Sequence, residues 1–428
     1  MHVNCLILGG GLTGLSTAYH LQQAGHSDYL VLEKENEPGG LCRSIYKDGF
    51  TFDYSGHLLH LHTLQGKKLV RQLLGTNLHR LPRNAWIYTK NSRVPFPFQA
   101  HLYALPTDVR RACVEGLLAA KRTAKTPPRN FEEFCLRAFG KGIYQAFMRP
   151  YNTKLWGRAP RELTCEWCGP FVPVPSAAQI KQSAVKKPSK PFGYNASFYY
   201  PKQGGCGALA YALAARVKNL QLSTPVTHID LKNKTVRAGN KSFSYDYLVN
   251  TLPLTAFVNL LQDKAGLSRF SRQLACQPVT VYHVAFKGKA PSFHWIYTPD
   301  KQDPFYRVGV QSSFAVSNAR KGCYSLYVEL PGRVRPSRTR AQQIRRALVQ
   351  KGIISGSDEK LVEFWQTFPC AYVVYDKHRT PAVQRILNDL QSHGCFCAGR
   401  YGLWEYSFIE RSLLQGKELA KQLASEVL

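Results

Sequence analysis

The sequence predicts an α/β protein with a helical insertion and an antiparallel sheet, and three observations carry that expectation. The first is the N-terminus. Val3 to Leu8 is nearly all apolar, Gly9-Gly10-Gly11-Leu12-Thr13-Gly14 follows at once, and Leu15 to Ala24 has the helical period. A second apolar strand, Tyr29 to Leu32, ends at Glu33. The second observation is the apolar spacing of three and four in VRRACVEGLLAAKR and FEEFCLRAFGKGIYQAFMR, which predicts helices up to Arg149. The third is residues 276 to 375, where VTVYHVAFKG, FHWIYTPD, FYRVGVQSS and CYSLYVEL are β-branched and aromatic with turns between.

Strand, G-x-G-x-x-G, helix, strand, acid is the Rossmann-like order. Gly9, Gly11 and Gly14 allow a tight turn and let backbone approach a pyrophosphate at a helix N-terminus, while Glu33 is placed to accept from a ribose. Gly39-Gly40-Leu41-Cys42-Arg43-Ser44 then gives a second glycine-rich turn, for which a nicotinamide-binding dehydrogenase has no need.

At 428 residues and 44% hydrophobic content the chain suits two or three domains with a large core. No run of about eighteen apolar residues suggests a membrane span. The N-terminus reads as a core strand rather than a signal peptide, so a cytoplasmic protein is expected. Twelve cysteines are scattered. Cys165 and Cys168 have a redox or zinc spacing, but Cys395-Phe396-Cys397 is no matching second pair, and packing roles are expected. His57, His60 and His62 are spaced unlike a helical ligand pair, so no metal is expected. The net charge of +30 is dispersed, with bunches at Lys181 to Lys190 and Arg333 to Arg346. General basicity ranks first as its account, association with an anionic membrane surface second, and specific nucleic-acid binding a distant third.

Trp86 to Phe98 reads as a hairpin turning at Lys90-Asn91-Ser92. Pro150 is expected to end the second helical stretch, and Arg149 to Pro175 to be irregular and functional. Lys181 to Lys190 reads as a polar loop. Ser197 to Leu213 reads as strand, glycine turn and helix, and Leu222 to Pro253 as short strands. A helix, Arg338 to Gly352, interrupts the strand-rich region, and Cys395 to Leu428 is a strand, a Gly-Arg turn and a final helix.

The second glycine turn resembles that of the flavoproteins that include the amine oxidases, protoporphyrinogen oxidases and UDP-galactopyranose mutases, where it runs along FAD. Within them, Phe147 to Trp156 is similar to the corresponding tract of the UDP-galactopyranose mutases, especially the eukaryotic type. So are Trp295-Ile296-Tyr297 with Pro304-Phe305-Tyr306-Arg307, Gly399 to Tyr406, Pro97-Phe98-Gln99, and Asn195 to Phe198 with Gly204-Gly205. The resemblance covers the whole chain. It implies an FAD-binding domain from 1–95, 196–262 and 392–428, a helical substrate-side domain at 96–195, and an antiparallel-sheet substrate domain at 263–391.

The resemblance also implies a reaction: N5 of reduced FAD attacks the anomeric carbon of a UDP-sugar, and pyranose and furanose interconvert without net redox change. NAD(P)H would be the external reductant, and an oligomer is left open. Arg149 and Arg307 would clamp the diphosphate, with hydroxyls from Tyr297, Tyr375 and Tyr406 and with His57 beside the flavin. Gln99, Phe96, Asn152, Trp156, Asn195 and Trp295 would line the substrate site. Gly40, Arg43, Val226, Gly399, Arg400 and Glu410 would join the first turn in holding FAD. Phe96 stands where the eukaryotic-type enzymes carry a tyrosine, and Glu410 where an aspartate is usual. The alternative is a flavin oxidoreductase of the porphyrinogen oxidase, amine oxidase or desaturase type, which needs no diphosphate clamp. A non-catalytic polyanion binder is the third reading.

Overall fold

The computed structural model describes residues 1–121, 126–188, 192–193 and 195–426, and these carry two seven-stranded sheets. In the first, His2–Leu8 lies parallel between Tyr29–Leu32 and Lys241–Asn250. Leu220–Gln221 extends one side, while Cys395–Cys397 pairs parallel to Lys241–Asn250 and an antiparallel meander, Val226–Asp230 and Thr235–Ala238, hangs from its far end. The central strand reads as a continuous apolar run because helices cover both faces of a parallel sheet. The helix after the glycine turn, α1 (Leu12–Gln23), packs on the C-terminal helix Ile409–Glu426.

The second sheet runs Glu359–Val373, Cys276–Lys287, Cys323–Pro331, Arg307–Val310, Trp295–Tyr297, Ala85–Thr89, Ser92–Pro95. The hairpin expected to belong with residues 1–95 therefore joins this sheet. Ala85–Thr89 pairs parallel with Trp295–Tyr297, whose edge would otherwise be left without a ladder. The other pairs in the sheet are antiparallel. Residues 338–350 form a helix that packs Ile344 and Leu348 onto its outer face.

The helices of this half of the chain include α2 (Leu64–Leu74), α3 (Thr107–Lys121), α4 (Phe131–Ile143), which packs on α3, and α5 (Arg149–Trp156). Pro150 does not end the helical stretch, contrary to expectation. Tyr144–Met148 widens into a π turn, and Pro150 falls at the start of α5, where a missing N–H costs little. The tract read as irregular is helical as far as Trp156, and Gly157 ends it with φ +63°. Lys181 also lies in a helix, Ala177–Ser183, started by a reciprocal Ser176–Gln179 capping box. Arg122, Ser189 and Lys190, at the ends of two expected elements, lie outside the described residues.

Candidate active site

The first glycine turn is set by close packing. A Cβ on Gly14 would sit 2.0 Å from the Gly9 carbonyl oxygen, and Gly9 itself has φ +103°. Gly11 differs: a Cβ there would meet nothing within 4 Å. Gly11 is also the N-cap of α1, where no side chain caps the helix and its first turn holds no acid. The N–H groups at this end are thus presented to an anion. Glu33 is buried, accepting from Gly10 N at 2.7 Å and Glu35 N at 3.0 Å. Gly40 comes within 3.4 Å of the Gly11 Cα, measured from where its Cβ would stand. Arg43 Nε donates to the Gly40 carbonyl at 3.1 Å, and its guanidinium lies over Tyr54. Thr224 N donates to Glu33 O, which brings the start of the Val226 strand beside Glu33.

Gly399 packs on Thr13 with φ +81°, so the Gly399-Arg400 turn meets the first turn of α1. Arg400 donates to the Ser407 and Ala371 carbonyls at 2.7 Å each, yet its Nε has no partner among the described residues. Nor has Nδ1 of His57. Burial first, then Arg307, push the His57 imidazole down to about 4, against Glu329, so it is neutral at pH 7. The uncapped helix, the open space at Gly11 and two unpartnered polar atoms fit a bound dinucleotide cofactor.

Beyond His57 lies a cavity of about 160 Å³. Its walls are aromatic. Phe98, Phe147 and Tyr151 stack in sequence at 5.1 and 5.2 Å, and Tyr297 sits edge-on to Tyr151 at 5.2 Å. Phe171 packs on Tyr406 at 4.4 Å. Phe96, Gln99, Asn152, Asn195, Trp295, Tyr297, Arg307 and Tyr406 all reach the cavity. Gln99 Nε2 donates to Pro173 O at 2.6 Å and so ties Phe171–Pro173, which also line the cavity, to Gln99.

Four expected residues stand elsewhere. Arg149 is exposed, on the far side of α5 beside the Tyr144–Glu132 pair. The helical period decides this, because Phe147, Met148, Tyr151, Asn152 and Leu155 all face the cavity. Tyr375 lies behind the wall, where its hydroxyl accepts from Tyr406 N at 2.9 Å under Arg379. Tyr372 faces the cavity in its stead. Trp156 is buried against Trp167 at 4.8 Å and supports Tyr372 and Tyr406. Glu410 accepts from His62 N, Thr63 N and Thr63 Oγ1, so it caps α2 rather than facing the glycine turns.

The sequence reading missed Tyr327, Tyr372 and Glu329. Glu329 is 1% exposed, and its carboxylate takes Arg307 Nε at 2.7 Å, Arg307 Nη2 and Ser55 Oγ. A lone acid in the apolar strand LYVELP was the available signal. Burial opposes the Arg307 charge, but Glu329 outweighs it and keeps the guanidinium protonated. Burial raises the Tyr151, Tyr306, Tyr327, Tyr372 and Tyr406 hydroxyls, so all are neutral donors at pH 7.

Fold and site together define a flavoprotein with a dinucleotide fold opening on an aromatic pocket. The chain belongs to the flavin-containing amine oxidoreductase family, whose model matches residues 12–424. Membership implies FAD. The crystal structure of a reduced UDP-galactopyranose mutase superposes with a TM-score of 0.93 at 26% identity, covering 99% of this chain and 94% of that one. A probable UDP-galactopyranose mutase of Klebsiella pneumoniae is 24% identical over 49% of this chain and 50% of its own. A coproporphyrinogen III oxidase of Staphylococcus aureus (strain NCTC 8325 / PS 47) is 33% identical over 24% of this chain and 23% of its own. The matches thus span half or less of these curated relatives. No helix among the described residues is long and apolar enough to cross a membrane.

Proposed function

We propose that the protein is an FAD-dependent mutase interconverting the pyranose and furanose forms of a nucleotide sugar of the UDP-galactose type. The observation that carries the reading is the whole-chain likeness to the reduced mutase, joined to a pocket whose polar floor is Arg307 amid tyrosine hydroxyls. FAD would be held by the N-terminus of α1, Glu33, the Gly39-Gly40 turn with Arg43, and the Gly399-Arg400 turn. Reduced by NAD(P)H, it supplies a nucleophilic centre for the anomeric carbon. Everything else is the work of the chain. Tyrosine hydroxyls and Arg307 donate to diphosphate oxygens, aromatic walls exclude water, and His57, neutral at pH 7, adds no positive charge beside the cofactor. Arg149, standing outside, is left out of this clamp.

One observation favours a flavin oxidoreductase as the second reading. Arg307 is the one arginine or lysine among the described residues lining the cavity, and Glu329 already matches its charge. A dianionic diphosphate would enter without an unmatched cation. The test is anaerobic incubation of the dithionite-reduced holoprotein with UDP-galactopyranose, followed by chromatography for the furanose. Product only with reduced flavin supports the mutase. No product and no UDP binding puts the oxidoreductase first. Arg307→Ala should abolish UDP binding with FAD retained.

A further inference from the structure

Lys154 lies on α5, whose Tyr151, Asn152 and Leu155 line the cavity, but Lys154 itself is not among the lining residues. Its Nζ donates to backbone carbonyls of Thr298 at 3.0 Å, Asp300 at 2.9 Å, Asp303 at 3.2 Å and Phe305 at 2.6 Å. An ammonium has three protons, so four converging carbonyls share them as they would share a spherical cation. Burial pulls the amine down to about 8, against Asp303 and Asp300, so it is charged at neutral pH.

The turn so gripped closes the hairpin of Trp295–Tyr297 and Arg307–Val310, in which Tyr297 and Arg307 are direct partners. Inside the turn, Thr298 N donates to Tyr306 O, and Thr298 Oγ1 to Phe305 O at 2.8 Å. Lys351 grips the turn as well, with Nζ 2.9 Å from Asp303 Oδ1. Tyr297 precedes the first caged carbonyl by one residue, and Arg307 follows the last by two.

We propose that Lys154 is a positioning residue: its ammonium occupies a four-carbonyl cage as a built-in monovalent cation, tying α5 to the turn that carries Tyr297 and Arg307 into the pocket. The cage needs no substrate assignment. Only the effect on UDP binding rests on the function proposed above.

The experiment uses the FAD-loaded full chain as wild type and Lys154→Ala. Amide hydrogen exchange across 298–306 is followed in ammonium chloride and, at the same ionic strength, in tetramethylammonium chloride. Lys154→Ala is expected to exchange there at least about tenfold faster and to bind UDP about tenfold more weakly. Ammonium, small enough for the vacated cage, should restore both, and tetramethylammonium neither. Unchanged exchange, or recovery equal in the two salts, overturns the proposal. Should the alanine variant not fold, Lys154→Met keeps most of the packing and removes the charge. It should show the same loosening without an ammonium response, and wild-type exchange in it also overturns the proposal. A wild type that fails to bind UDP sinks the substrate reading, while the exchange result still decides the cage.

Discussion

Arg307 and Glu329 stand directly opposite each other on adjacent antiparallel strands and join through both Nε and Nη2 of the guanidinium. Glu329 is buried and Arg307 partly buried where the cavity begins, so the two charges depend on each other. Removing one leaves the other uncompensated in a low dielectric. Glu329→Ala is expected to cost about 3–5 kcal/mol, read as a lowered urea midpoint with the denaturant slope unchanged. Glu329→Gln keeps the shape and frees the guanidinium charge. UDP affinity should rise in it, with a steeper salt dependence. A fall in affinity would mean that Glu329 orients Arg307 more than it balances it.

Arg149→Ala separates the sequence expectation from the structure. The side chain is exposed on the outer face of α5. UDP affinity should stay within about twofold of wild type, the range of a surface substitution. A loss comparable to that of Arg307→Ala would return Arg149 to the clamp.

The two ends of the glycine turn should fail differently. Gly11→Ala places its methyl in open space at a backbone conformation any residue adopts, φ −76° and ψ 176°. The protein should fold and purify with little flavin absorbance, because the methyl occupies the approach to the helix N-terminus. Gly14→Ala drives its methyl into the Gly9 carbonyl and should prevent accumulation of folded protein. Full flavin content in purified Gly11→Ala would count against this placement of the cofactor.

Acid should unfold the protein through its histidines. Burial lowers His57, His60 and His294 to about 4, and His283 to about 3. Between these values and about 6.5 the unfolded chain binds more protons than the folded one, so stability falls as pH drops from 6.5 toward 4. Each group contributes up to about 1.4 kcal/mol per pH unit. His283 is fully buried between Phe52 and Phe364, and neither ring nitrogen has a partner among the described residues. His283→Phe should gain about 1–2 kcal/mol at pH 7 and flatten the acid limb of a pH series of urea midpoints. An unchanged limb would show that His283 does not carry it.

Much of this was local and therefore legible. Apolar runs, glycine spacing and helical periods are properties of neighbouring residues, and they determined the dinucleotide unit, the helical segment and the strand-rich region. Eight of the residues lining the cavity were named too, through the resemblance of their tracts to those of the mutases. The tertiary structure alone decided the electrostatics. Which face of α5 meets the cavity was decided by packing, with Phe147, Met148, Tyr151, Asn152 and Leu155 turned inward, and that put Arg149 outside. Register placed Glu329 across from Arg307, pairing on the strand that ends at Val373 put Tyr372 in the wall, and the chain beyond that strand carried Tyr375 behind it. The Lys154 cage brings together carbonyls about 150 residues away in sequence, through backbone atoms that every residue shares. No residue type announces such a partner, so only the folded chain could reveal it.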